Sequence, residues 1–227
     1  MVPVIKKKSG DVRICVDLKH LNESIVRERY IIPSKDEILG QLAGAAVFSS
    51  LDAESGFWQI PLDEESQKMT TFITPFGRYC YQRLPFGISS APEIFQRKMS
   101  ELFKDMDGVV VYLDDVLVFG STVEEHDACL AKVLEVVKAS SLKLNDAKCV
   151  YRQTKLKFLG HIISKDGIAV DGDKVSAIRK LAPPTNVTEL KRILGMVNYL
   201  AAHVDNLATI LEPMYKLLKN DVCWCWG

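Results

Sequence analysis

The chain has 227 residues, 48% hydrophobic and 26% charged, which suits one sizeable core or two or three small subdomains. No run of 18 or more apolar residues occurs, and the first residues lead into Lys6, Lys7 and Lys8 rather than an apolar stretch. This argues against a spanning helix or a secretory signal and predicts an intracellular protein. The 29 basic and 29 acidic residues cancel, so net charge decides neither for nor against a nucleic-acid partner. Their distribution is uneven: Lys6, Lys7, Lys8, Arg13 and Lys19 make the start basic, while acids gather at Glu64, Glu65, Glu124 and Glu125. The six cysteines are scattered and predict reduced thiols. Only Cys223 and Cys225 are close together, and they lack the second ligand pair that a structural zinc needs.

In chain order, Val2–Ile5 and Val12–Val16 read as a hairpin around Lys8, Ser9, Gly10 and Asp11. Ser34, with Glu37 three residues on, forms a capping box that predicts a helix over Lys35–Leu42. Val47–Leu51 is an apolar strand ending at Asp52, and Thr70–Thr74 and Tyr79–Leu84 read as strands around a Pro75-Phe76-Gly77 turn. Ser90 and Glu93, with Pro92 in the first turn, open a helix whose Ile94, Phe95, Met99, Leu102 and Phe103 form a buried stripe. Val109–Gly120 reads as a hairpin. Thr122 and Glu125 cap a helix with Leu130, Val133, Leu134 and Val137 toward a core. Phe158–Val170 turns at Asp166-Gly167. After Pro183 and Pro184, Asn186 and Glu189 start a helix with Leu190, Ile193, Leu194 and Val197 on one face, and a second helix runs toward Leu218. Strands interleaved with helices before a helical end predict an α+β body with a helical appendage.

Asp114 and Asp115 sit between two strongly apolar strands, where a tight turn ordinarily recruits Asn or Gly. Two adjacent carboxylates repel each other, so the pair is either a solvated surface turn or a site where divalent cations neutralise it. Asp52 ends another apolar run, either capping the next turn or joining that pair across a sheet. Together the three suit two Mg²⁺ ions, which take carboxylate oxygens and share the remaining positions with water and phosphate. Gly56 lets a backbone N–H approach an anion, Phe57 either packs in the core or flanks a ligand, and Lys7, Lys8 and Arg13 suit a triphosphate.

Five blocks in order resemble the reverse transcriptases of gypsy-class LTR retrotransposons. They are Tyr112-Leu113-Asp114-Asp115; Leu84-Pro85-Phe86-Gly87 with Ala91-Pro92; Phe95-Gln96; Phe158-Leu159-Gly160-His161; and Leu194-Gly195 with Asn198-Tyr199. The resemblance covers essentially the whole chain. It implies an α+β right-hand polymerase fold: fingers at 1–44 and 62–88, an antiparallel palm at 45–61 and 89–165, and a helical thumb at 166–227. The implied reaction is nucleotidyl transfer from deoxynucleoside triphosphates (dNTPs) to a DNA primer on an RNA or DNA template. It would use two Mg²⁺ ions, with Mn²⁺ as a substitute, held by Asp52, Asp114 and Asp115.

By the same resemblance Lys7, Arg13, Ser55 and Gly56 hold the triphosphate, and Phe57 lies under the sugar and excludes a ribose 2′-hydroxyl. Phe86 and Tyr112 line the nascent pair. Lys148 is either a general acid for pyrophosphate or a solvated surface lysine. Phe158, Leu159, Gly160 and His161 hold the primer end. Replication in cytoplasmic particles, with product DNA reaching the nucleus, is also implied, and no membrane partner.

Two departures stand out. Met69-Thr70-Thr71-Phe72 replaces the family's Lys-Thr-Ala-Phe, and Leu200-Ala201-Ala202-His203 replaces aromatic and basic residues, which implies a weaker thumb grip. The chain stops before the ribonuclease H and integrase regions of the family's polyproteins, which is expected of either a fragment or a degenerate genomic copy. Two other readings are a retroelement-derived binding module without catalysis and an unrelated metal-dependent phosphohydrolase. The second lacks a His cluster, since His20, His126, His161 and His203 are isolated.

Overall fold

The computed structural model describes residues 2–5, 12–219 and 222–226, with backbone only at 2–5, 13–15 and 202. The chain divides into two units, Met1–Thr154 and Lys155–Gly227. In the first, β1 (Val2–Ile5) and β2 (Val12–Cys15) form an antiparallel pair. The basic tip at Lys7 and Lys8 lies outside the described residues. After them come α1 (Lys19–Ser24), α2 (Lys35–Gly40), β3 (Val47–Asp52), a 3₁₀ turn at Gly56–Gln59 and α3 (Glu64–Met69). Then follow β4 (Phe72–Thr74), β5 (Gly77–Tyr79), α4 (Ala91–Leu102), β6 (Val109–Tyr112), β7 (Asp115–Gly120), α5 (Val123–Ala139) and β8 (Val150–Gln153).

The organising element is an antiparallel four-stranded sheet in the order β6-β7-β3-β8. Val116, Leu117 and Val118 of β7 are all fully buried, which is why this strand reads as a continuous apolar run rather than an alternation. Leu51, Val116 and Val118 meet Phe95, Met99 and Phe103 of α4 and its end, and Val133 of α5. Complete burial of one such side chain contributes about 1.5–3 kcal/mol, so this layer fixes where the strand ends point.

A polar chain that starts from two buried side chains pins α5 to the sheet. His126 and Ser49 are both fully buried, with Nε2 and Oγ 2.8 Å apart. Nδ1 lies 3.0 Å from Asp127, which Arg152 grips through both guanidinium bonds at 2.9 and 2.6 Å. The Arg152 N–H also donates to Ser49 Oγ at 3.0 Å. This resembles a hydrolase triad on paper, but Ser49 Oγ is sealed and already engaged, so the network is structural.

The second unit opens with β9 (Lys155–Phe158), β10 (His161–Ser164) and β11 (Gly167–Val170), an antiparallel sheet in the order β11-β10-β9. The helices α6 (Gly172–Arg179), α7 (Val187–Asn198) and α8 (Leu207–Lys216) follow. Leu190, Leu194, Leu207 and Leu211 form the core between α7 and α8, covered by Met214 and Trp224. None of the described helices is long and apolar enough to cross a membrane.

Several elements differ from their sequence reading. Ser34 and Glu37 form the reciprocal box, and Thr122 and Asn186 each cap as read. Ser90 makes no side-chain cap; its φ and ψ of −93° and 0° are not extended, and Glu93 is taken by Arg27 at 2.7 Å. The strand read over Tyr79–Leu84 stops at Tyr79. Residues beyond it pair elsewhere: Leu62 N–H donates to Gln82 O, and Leu84 N–H to Ile60 O. Thr70 is not strand but the C-cap of α3. Leu134 of α5 is 39% exposed rather than in the core. The helices α1, α3 and α6 were not anticipated; Asp63 and Asp171 cap the latter two and were the available signals.

His126→Ala would leave Ser49 without its ring partner and open a cavity under α5. The expected loss is about 2–4 kcal/mol, read as a lower urea midpoint with unchanged slope.

Candidate active site

Register brings the three aspartates together. Asp52, the last residue of β3, lies opposite Asp115, the first of β7. Asp115 in turn pairs with Tyr112 across the β6–β7 turn, leaving Leu113 and Asp114 as its two central residues. Ala53 N–H donates to the Asp114 carbonyl at 2.8 Å, tying the turn to the end of β3. Leu113 has φ 52°, a left-handed conformation that a side chain with a Cβ disfavours.

A buried amide holds that turn. Gln96 of α4 is 1% exposed; its Oε1 accepts from Leu113 N–H at 2.6 Å, while Nε2 donates to Val111 O at 3.0 Å and Ser100 Oγ at 3.2 Å. The sequence reading placed Gln96 in a family block but gave it no role. The signal was a polar side chain beside Phe95 in an otherwise apolar stripe. Gln59 was also missed. Its side chain bonds Glu54 O, Lys143 O and Lys143 N–H, fixing the loop after Asp52 to the segment after α5.

The site carries more negative charge than it neutralises. Burial, then Asp115 and Asp52, push the Asp114 carboxyl above its ordinary range, with Lys148 opposing. Burial and Asp52 do the same to Asp115. Asp114 Oδ1 is buried with no hydrogen-bond partner. A Cβ on Gly56 would overlap that oxygen and come within 2.6 Å of the Phe95 ring, so only glycine fits. The clearance at Gly56 therefore admits the site's own carboxylate.

Asp52 has a cationic partner. Asn145 N–H donates to Asp52 O at 2.8 Å, and from the loop that follows Lys148 Nζ reaches both carboxylate oxygens at 2.9 and 3.0 Å. This contact raises the lysine's pKa. Lys148 is thus an exposed lysine that is also an ion-pair partner of the site. Among the described residues no group of three or more His, Cys, Asp or Glu is already arranged to hold a metal ion. In this conformation Lys148 occupies Asp52, and one Asp114 oxygen is turned under Gly56. The donor set and the orphaned oxygen nevertheless fit a hard divalent cation.

The remaining candidates fall into three groups. Phe57 packs on Phe86, centroids 5.1 Å apart, and edge-on to Phe95 at 5.7 Å. Ser55, at φ 50°, starts the 3₁₀ turn beside them, and Tyr112 lies half-buried opposite Asp115. Arg13 lies on β2 opposite Val4, with its backbone described; Lys7 lies outside the described residues. Phe158, Leu159, Gly160 and His161 belong to the second unit and form the β9–β10 turn, where Phe158 is buried at 3%.

A carboxyl whose pKa the fold raises weakens the fold as pH climbs through the ordinary carboxylate range to the raised value. Below that range the penalty is absent. Asp114→Asn, melted in EDTA at pH 7, should therefore gain about 2–4 °C, the shift that ~1 kcal/mol produces at this length. The gain should shrink as pH falls through about 4 and vanish near about pH 3, where the wild-type carboxyl is protonated in both states.

Comparison with known proteins agrees with this geometry. Residues 5–163 match the model of the reverse transcriptase (RNA-dependent DNA polymerase) family. The chain is 38% identical over 224 residues to a retrovirus-related Pol polyprotein from transposon opus of Drosophila melanogaster, covering 97% of this chain and 22% of that protein. It is 36% identical to the enzymatic polyprotein of Cauliflower mosaic virus (strain Strasbourg), covering 97% and 33%. The chain thus spans a third or less of these relatives' length. Among solved structures it resembles the foamy viral protease-reverse transcriptase in complex with double-stranded DNA, TM-score 0.89, 28% identity, covering 95% of this chain and 38% of that one. It also resembles the same enzyme in complex with an RNA/DNA hybrid, TM-score 0.81, 27% identity, covering 98% and 31%. The fold is accordingly that of a right-hand α+β polymerase, and the chain belongs to the reverse transcriptase family.

Proposed function

We propose that this chain is the polymerase core of a gypsy-class LTR-retroelement Pol polyprotein. Its reaction is RNA-directed nucleotidyl transfer from dNTPs to a primer 3′-hydroxyl. The observation that carries this reading is the register pairing of Asp52 with Asp115 beside an Asp114 whose buried oxygen has no partner. The fingers comprise 1–44 and 62–88, the palm 45–61 and 89–165, and the thumb 166–227. The division of the chain at Thr154 leaves β9 and β10 with the helices, so the last part of this palm belongs to the second unit.

Asp52, Asp114 and Asp115 are the residues that would hold two Mg²⁺ ions, with Mn²⁺ as a substitute. When bound, such ions acidify the primer hydroxyl and stabilise the departing pyrophosphate oxygens. Lys148 leaves Asp52 as the site fills and donates a proton to pyrophosphate. Ser55 and Gly56 offer backbone N–H groups to the triphosphate, joined by Lys7 and Arg13. Phe57, braced by Phe86 and Phe95, blocks a ribose 2′-hydroxyl. Phe86 and Tyr112 line the nascent pair, and the Phe158–His161 turn receives the primer end. Template and primer partners are supported by the foamy viral complexes with double-stranded DNA and an RNA/DNA hybrid. The cytoplasm, with DNA passing to the nucleus, is the proposed setting.

The test is primer extension on an RNA template with Mg²⁺ and dNTPs, wild type against Asp114→Asn. Extension should fall about 100-fold or more in the variant, the rate change that ~3 kcal/mol of lost charge stabilisation produces. A wild type that binds primer–template but extends nothing would instead support a non-catalytic binding module.

A further inference from the structure

The chain after Asp52 runs alongside the segment that follows α5 for three residues only. Asn145 N–H donates to Asp52 O at 2.8 Å, Ala53 pairs with Leu144, and Glu54 N–H donates to Lys143 O at 2.9 Å. The ladder stops at Glu54, because Ser55 turns left-handed at φ 50° and the chain winds into the 3₁₀ turn Gly56–Gln59. The bonds within that turn, Trp58 N–H to Ser55 O and Ile60 N–H to Phe57 O, close it on itself and reach no neighbouring segment.

The Gln59 side chain restores the connection. Its Nε2 donates to Glu54 O at 2.7 Å and to Lys143 O at 2.9 Å, while its Oε1 accepts from Lys143 N–H at 2.8 Å. Both amide donors and the acceptor are thus spent on backbone groups of two segments. Among the described residues, these are the hydrogen bonds that tie the 55–59 turn to residue 143. Ser55, Gly56 and Phe57 ride inside the loop so closed, and their placement has little slack. A Cβ on Gly56 would overlap Asp114 Oδ1, so the turn already abuts the carboxylate cluster. On the other side Phe57 rests on Phe86 and Phe95. Apolar contact is non-directional and lets the ring slide over its neighbours, whereas the Gln59 bonds fix distance and direction.

We infer that Gln59 is a positioning residue for nucleotide selection. It sets how far the Ser55–Phe57 turn projects, and so where the Phe57 ring meets the sugar, without itself touching the nucleotide. The inference rests on the polymerase reading, which supplies the nucleotide, and assigns a role to a residue outside the family blocks.

The test is primer extension by the full chain with dNTPs and with ribonucleoside triphosphates (rNTPs), read as the ratio of the two kcat/KM values. Both substrates meet the same enzyme, so a smaller folded fraction cancels from the ratio. Gln59→Met keeps the length and deletes all three bonds; it should lower the preference for dNTPs about tenfold. Gln59→Glu keeps the acceptor for Lys143 N–H but sets a carboxylate against two carbonyl oxygens, and should lower it at least as far. His126→Ala, which weakens the fold at Ser49, should keep the wild-type ratio. If Gln59→Met does not fold, Gln59→Asn, one methylene too short to bridge both segments, reads the same ratio. A ratio unchanged in the Gln59 variants overturns the inference, as does an equal fall in His126→Ala, which would make the effect one of general loosening. A wild type that extends with dNTPs and rNTPs equally overturns this inference alone; a wild type that extends with neither overturns it together with the polymerase reading.

Discussion

The molecule depends on like charges held together by a β-ladder. Asp52 and Asp115 face each other across β3 and β7, and the β6–β7 turn adds Asp114. Nothing in the carboxylates favours this meeting. It is imposed by six paired positions along β3 and β7 and by the fully buried Val116, Leu117 and Val118 behind them. Burial and mutual repulsion raise the Asp114 and Asp115 pKa values, so the fold stores an electrostatic demand at one sheet end. Function is written in that demand, because a site complementary to cations is unfavourable while it lacks them.

Two buried polar devices keep the arrangement from relaxing. Gln96 holds Leu113 in its left-handed conformation, and the Ser49-His126-Asp127-Arg152 chain locks α5 and β8 to β3. Gln96, Ser49 and His126 are engaged in the dry interior, where an unmade bond would be costly, while Asp127 and Arg152 end the chain at the surface. Lys148 acts differently. It is 62% exposed and holds the 19% exposed Asp52 through a mobile side chain, so it can yield to a cation where a buried partner could not.

Much of this was legible in the residues. The apolar run ending at Asp52, the hairpin with Asp114 and Asp115, and the caps at Ser34, Thr122 and Asn186 all rest on local patterns that the fold keeps. What escaped depends on partners distant in sequence. Residues 80–84 read as a continuation of a local hairpin but pair with 60–62. Ser90 and Glu93 read as a cap until Arg27, 66 positions away, claims the glutamate. Gly56 reads as an approach for an anion, and that its clearance also admits Asp114 depends on a residue 58 positions away. Lys148 was visible as a cation, yet its attachment to Asp52 arises from the pairing of Leu144 with Ala53.

The central claim, that the aspartate cluster is completed by divalent cations, is tested most directly by melting the wild-type chain in increasing Mg²⁺ against NaCl at matched ionic strength. Mg²⁺ should add about 2.7 kcal/mol when present at ~100 times its dissociation constant, raising the melting temperature well beyond the NaCl series. Coincident curves in the two salts would contradict it.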